Sequence, residues 1–289
     1  MPLVSDVPEQ APNNPAVPLT RRERRAHAQT AKPALPRRAL LPRPLSIAAT
    51  LAFAALVALT GYASPQFVAL AVALAGLVLA WGWPLLLSLP SPRGTSGVLA
   101  IGTLLMTGTA LLTRSDPYLQ WMPAALAVSV IVAFLHQLMR RDGRPRLTES
   151  VAATTSGLAI ISAGIALAPI PHVLAGEHAL AATMAGLGIG ALADPCVSIR
   201  RLRKWALFIA MVLGGGAAVV VSLLAGDPMT GSAALLGLLA AAISHAARRV
   251  LAPLPATAMP RAQLAVAAAS SLLVGVVAYV VVTSPWFAT

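Results

Sequence analysis

The chain reads as an all-α protein, a polytopic integral membrane helix bundle of nine transmembrane helices with its N-terminus cytoplasmic and its C-terminus external. Three observations predict this. Apolar residues make up 57% of the 289 residues and charged residues 10%, and the mean hydropathy is +0.78, values far outside those of soluble domains. The apolar residues are gathered into runs of roughly 20, the length a helix needs to cross a hydrocarbon core about 30 Å thick. Basic residues recur at every second gap between the runs, as they do where short loops stay on one side of a membrane.

Within such a run the backbone has to be helical, because an unpaired amide in lipid costs several kcal/mol. The runs fall at 45–63, 66–88, 97–113, 118–138, 150–170, 178–195, 205–225, 230–247 and 264–284, each bounded by charge, proline or glycine. Buried helices of a soluble protein do not follow one another in this way, with linkers so short and polar surface so scarce. The orientation follows from the cations. The tail carries Arg21, Arg22, Arg24, Arg25, Lys32, Arg37, Arg38 and Arg43. Arg93, then Arg140, Arg141, Arg144 and Arg146, then Arg200, Arg201, Arg203 and Lys204, then Arg248, Arg249 and Arg261 follow the even-numbered runs. Of the 21 lysines and arginines only Arg114 falls on the other side. Tyr62, Tyr118, Trp121 and Trp286 are expected at the outer interface, and Trp81, Trp83 and Trp205 at the inner one.

Two parts are expected: a disordered, basic, proline-rich cytoplasmic tail over 1–44 and a transmembrane helical domain over 45–289. The tail holds nine prolines among small, polar and charged residues, too little apolar area to offset chain entropy. Its "TRRERRAHAQ" is superficially like a twin-arginine signal, but no apolar run follows closely, and "TGYAS" lies too far from the start for signal cleavage. The one cysteine, Cys196, cannot form an intramolecular disulfide and is read as structural.

Most of the ionisable residues lie in loops, so those near a span interior are the candidates for function. Asp194 in "LADPC", His136 in "AFLHQLMRR" and His245 in "ISHAARR" fall near the cytoplasmic ends of their spans, with Glu149 nearby at the start of the fifth. They form a candidate polar cluster. The alternative is that each reaches headgroup water or an arginine, in which case Asp194→Asn would cost within about 1 kcal/mol. Arg200, Arg201, Arg203 and Lys204 are expected to face lipid headgroups. In "GLGIGALADP" the spacing of Gly188, Gly190 and Ala193 is like a dinucleotide fingerprint, but it lies inside an apolar helix, and Gly186 with Gly190 reads instead as a close helix contact. Gly157, Gly164 and "GGG" at 214–216 suggest similar contacts, or for the triple glycine a local break. "PHVLAGEH" has spacing that permits metal contact but is read as a solvated loop, as are Asp116 and Asp227. No metal or cofactor is expected.

"ASPQFVALAVALAGLVLAWGWP" after the first span, "SHAARRVLAPLPATAMPRAQLAVAAASSLLVGVVAYVVV" at the end and the span count resemble the layout of the CDP-diacylglycerol synthases, the phosphatidate cytidylyltransferases. That family carries a C-terminal Ser, Lys-Arg, Lys-Asp, His-Gly-Gly and Asp-Arg-x-Asp signature whose carboxylates hold catalytic metal ions. Ser244, Arg248, Arg249 and Arg261 are its echoes here, and no Asp or Glu follows Asp227. The resemblance therefore implies a relative that lacks catalysis and keeps a lipid-facing cleft. The expected function is a non-catalytic plasma-membrane component, envelope or lipid-associated. Its partners would be anionic lipid headgroups at the cytoplasmic face and other membrane proteins, not nucleic acid. A permease for a small solute is the alternative, with "WGWP" and "LGGGAA" as candidate helix breaks. A lipid-modifying enzyme is the third reading.

Overall fold

The computed structural model describes residues 37–141, 143, 145–285 and 287. The expected tail lies outside the described residues as far as residue 36, and so do Arg144 and Trp286. The helices are α1 (Pro44–Ala63), α2 (Pro65–Leu86), α3 (Pro92–Leu112), α4 (Met122–Met139), α5 (Leu147–Ile165), α6 (Gly176–Ala191), α7 (Ala206–Ala225), α8 (Thr230–Leu251), α9 (Pro260–Leu272) and α10 (Val274–Val282). Among the described residues there is no strand, and nine helical segments are long and apolar enough to cross a membrane, α9 and α10 together making the ninth.

Local chemistry sets the helix starts. Pro44, Pro65, Pro92 and Pro260 open α1, α2, α3 and α9, where proline's missing N–H is one the helix could not have used and its fixed φ is already helical. Ser64 alone joins α1 to α2: its backbone is extended and its hydroxyl accepts from the amide of Phe67 at 3.4 Å, an N-cap. At the other end of the first span, Arg37–Leu40, which the sequence assigns to the tail, form a 3-10 turn with Ala39 buried.

Helices α2, α5, α6 and the α9–α10 span are two-thirds or more buried, whereas α1, α4 and α7 are about a quarter buried. The first four form the interior column and the others surround it. Helix α9 packs on α1, α2, α5 and α8, and α6 packs on α1, α7 and α8. Leu79, Leu99, Leu158, Ile161, Leu180 and Leu272 are fully buried in the resulting core.

Glycine allows several of these contacts to be close. A methyl group on Gly237 of α8 would collide with the carbonyl oxygen of Gly214 on α7, and one on Gly186 of α6 with the Cα of Gly237. Backbone therefore meets backbone where the three helices cross, the approach that missing side chains permit in a membrane. The triple glycine does not break α7, which runs unbroken from Ala206 to Ala225. Nor does "WGWP" interrupt α2, whose Pro84 sits in the last turn. Among the described residues, the ninth span is the one divided where its sequence carries no break signal, at Leu273 between α9 and α10.

Gly237→Val is expected to lower stability by about 1–3 kcal/mol, since the obstacle is backbone and cannot swing aside. Gly216→Ala, with nothing within 4 Å of the place its methyl group would take, should change stability by no more than ~0.5 kcal/mol. Thermal unfolding in detergent compares the two, and equal shifts would contradict a backbone crossing at Gly237.

Candidate functional site

The end of α6 supplies the first residue of the site. Helix α6 stops at Ala191, and residues Asp194–Val197 turn once more as a 3-10 helix with Pro195 second. Because α6 and α8 are drawn together at Gly186 and Gly237, the Asp194 carboxylate meets the last turns of α8. There Ser244, His245 and Arg248 lie three and four residues apart, the spacing that places side chains on one helix face. The Nδ1 of His245 lies 2.9 Å from Oδ1 of Asp194. Arg248 donates from Nε to Oδ2 at 2.6 Å and from Nη2 to Oδ1 at 3.2 Å. Its Nη1 turns the other way, donating to the hydroxyl of Ser244 and, at 3.4 Å, to that of Ser270 on α9. The side chains of Arg248 and His245 are 5% and 4% exposed and that of Asp194 is 16% exposed.

This geometry corrects two expectations. The sequence places Arg248 and Arg249 in the loop that ends the eighth span, but α8 continues to Leu251 and carries both in its last turns. A cation inside a span is costly unless it is paired, and Arg248 is paired, twice, with one carboxylate. Asp194 does reach an arginine, as the alternative expects, but the pair is buried and not exposed. Two carboxylate oxygens engaged by a buried guanidinium and an imidazole make a buried ionic set, in which removing one partner costs far more than at an exposed pair.

Among the described residues, the hydrogen-bond partners of the Asp194 carboxylate are His245 and Arg248, and the other two members of the expected cluster lie elsewhere. His136 packs against Gly94 of α3, where an added methyl would fall on its ring. Glu149 is exposed and accepts from Nε of Arg146 at 2.6 Å. Arg200, Arg201, Arg203 and Lys204 form an exposed basic turn between α6 and α7, with half-buried Cys196 just before it. Trp81 is half exposed, with the Arg261 guanidinium 4.5 Å from its ring centre. Trp83, expected at the inner interface, turns into the bundle: it is 4% exposed, and its Nε1 donates to the carbonyl of Ala153 at 2.8 Å.

A second layer of cations rims the ionic set. Arg249 donates to the carbonyl of Ala39 at 2.7 Å, which holds the turn before α1, and Arg43 donates to the carbonyl of Ala252 at 2.8 Å. Burial, and then the neighbouring charge of Arg249, pull Arg43 below its ordinary pKa. Arg43, Ser46, Asp194, Arg248 and Arg249 line a cleft with about 40 Å³ of space for water-sized groups. At the opposite end of the bundle, a cavity of about 460 Å³ is lined by Gln66, Thr113, Arg114, Tyr118 and His172. There Tyr118 and His172 stack with ring centres 4.0 Å apart. Among the described residues no three His, Cys, Asp or Glu side chains lie close enough to hold a metal ion.

The sequence does not reveal Ser244, Arg248 and Ser270 as a set with Asp194. The i, i+1, i+4 spacing of Ser244, His245 and Arg248 is the available signal, and it is hidden where a charge is taken as the end of a span. Comparison with known proteins gives no match, either to a family model, to a curated protein or to a solved structure.

Asp194→Asn is expected to destabilise the protein by about 3–5 kcal/mol, as for other buried pairs that lose one partner, with part of the loss recovered in Asp194→Asn/Arg248→Met. His136→Ala should add to Asp194→Asn without coupling. Thermal unfolding of the single and double variants in detergent measures both, and a loss below ~1 kcal/mol for Asp194→Asn would return the residue to a solvated cap.

Proposed function

We propose that the chain is a non-catalytic, multi-pass component of the plasma membrane that holds anionic lipids at its cytoplasmic face. The basic end, with the tail, lies inside the cell and Thr289 lies outside. The observation that carries this reading is that the buried charges of the bundle satisfy one another. Both oxygens of Asp194 are engaged by His245 and Arg248. A general base or nucleophile needs a reachable lone pair, and those of the carboxylate are taken up by its partners. The role of the ionic set is to hold α6, α8 and α9 together beneath a basic surface.

That surface supplies the positive part of the reading. Arg141, Arg200, Arg201, Arg203 and Lys204 are exposed, and each cation near an anionic leaflet contributes about 1 kcal/mol of attraction. The orientation rests on the 21 lysines and arginines, all but Arg114 on one side. The likeness to CDP-diacylglycerol synthases enters as an ancestry without catalysis, since no acidic residue follows Asp227. One observation favours a second reading, a permease: the cavity of about 460 Å³ at the other end places Arg114 beside Gln66, Tyr118 and His172, a polar set that a small solute would need.

A membrane-impermeant maleimide is expected to label Cys196 only after the cytoplasmic side has been opened, while a tag after Thr289 is reached in intact cells. Labelling of Cys196 in sealed cells would overturn the orientation. The purified protein is expected to give no magnesium-dependent conversion of CTP and phosphatidate, and turnover above a mock preparation would overturn the non-catalytic reading.

A further inference from the structure

The lipid-holding reading does not say where on the basic end a lipid sits. One side of the bundle does. Helices α1, α2 and α9 enclose a lateral groove of about 450 Å³ that no charged residue lines. Its floor and walls include Ala48, Ala49 and Ala52 of α1 and Ala267 and Ala268 of α9, small residues where larger ones would have filled the space. Along α1 the groove runs from Leu45 to Leu56, roughly 16 Å at 1.5 Å per residue, which is the depth of one leaflet of a hydrocarbon core about 30 Å thick.

The groove begins where the cationic cleft ends. Leu45 lines the groove and its neighbour Ser46 the cleft, and Ala267 lines the groove and its neighbour Val266 the cleft. Beside Arg43 the cleft presents Arg248 and Arg249 together with the carboxylate of Asp194, whose oxygens are already engaged by His245 and Arg248. The carbonyl of Ala39 satisfies an N–H of Arg249 but does not neutralise its charge, and a half-buried cation at the edge of lipid favours an anion beside it. Ser46 points to the same place independently: it is 2% exposed, lines the cleft, and its hydroxyl has no hydrogen-bond partner among the described residues. A buried hydroxyl of that kind calls for a partner.

We infer that the cleft and the groove are one site for an anionic glycerophospholipid, its phosphate received by Arg43, Arg249 and Ser46 and one acyl chain laid between α1 and α9. The inference rests on the lipid-holding reading and narrows it to a single place. The phosphate suits guanidinium forks, which pair with it in two parallel hydrogen bonds, and the groove selects a lipid over a free anion.

The test is native mass spectrometry of the full chain in detergent, titrated with phosphatidylglycerol and phosphatidylcholine of the same acyl length. Phosphatidylglycerol is expected to bind first and about tenfold more tightly, the effect of one charged hydrogen bond. Arg249→Gln should remove most of that preference. Ala52→Phe, at an exposed position on the groove wall, should weaken both lipids while leaving the protein folded by gel filtration. Equal binding of the two lipids, displacement of phosphatidylglycerol by inorganic phosphate alone, or no effect of Ala52→Phe would each overturn the site. If neutralising Arg200 and Arg201 removes the preference while Arg249→Gln leaves it, the lipid-holding reading stands and this site falls.

Discussion

Where α6, α7 and α8 cross, the chain brings backbone against backbone at Gly186, Gly214 and Gly237, and the arrangement of the basic end depends on that approach. Lipid supplies no hydrophobic drive between apolar helices, so association relies on van der Waals contact at short range and on polar links. The glycine crossing supplies the first and makes the second possible. With side chains at these positions α6 and α8 would stand farther apart, and the carboxylate at the end of one would not reach the guanidinium near the end of the other.

Once the helices are that close, the ionic set explains features that look unfavourable one by one. Arg248 lies inside a span, Asp194 lies beside a membrane-depth helix end, and two serines are buried between apolar neighbours. Together they compensate: the guanidinium is held by a carboxylate and two hydroxyls, and the carboxylate by a guanidinium and an imidazole. Desolvation of an ion is offset only when its remaining hydrogen-bonding positions are filled, and around the Arg248–Asp194 pair the side chains of His245, Ser244 and Ser270 supply partners.

The fold is legible in the sequence and the site only in fragments, for a physical reason. A helix in lipid needs a long apolar run, and a run is a property of consecutive residues, so all nine spans can be read with their ends displaced by a few residues. Pairing is a property of residues far apart in the chain. Asp194 and His245 both stand out, but nothing in their local sequence separates His245, which reaches the carboxylate, from His136, which packs against Gly94. Arg248 reads as the end of a span because an unpaired arginine would be one. Trp83 reads as interfacial because indoles favour that depth, yet its neighbour Trp81 is the exposed ring, and Trp83 turns inward to the carbonyl of Ala153. Cross-helix acceptors of this kind leave no local pattern.

The buried hydroxyls of Thr50, Thr103, Ser129, Thr154 and Thr183 each donate to a carbonyl four residues back in their own helix, so they tie no helix to another. Among the described residues, the side-chain hydrogen bonds that do join distant parts of the chain, from Arg43, Trp83, Arg146, His245, Arg248, Arg249 and Arg261, belong to the basic end. The bundle is thus tied by polar bonds at one end and held at the other by packing, including the stack of Tyr118 on His172. Among the described residues, a substitution at the opposite end therefore disturbs packing without costing a polar bond between distant helices.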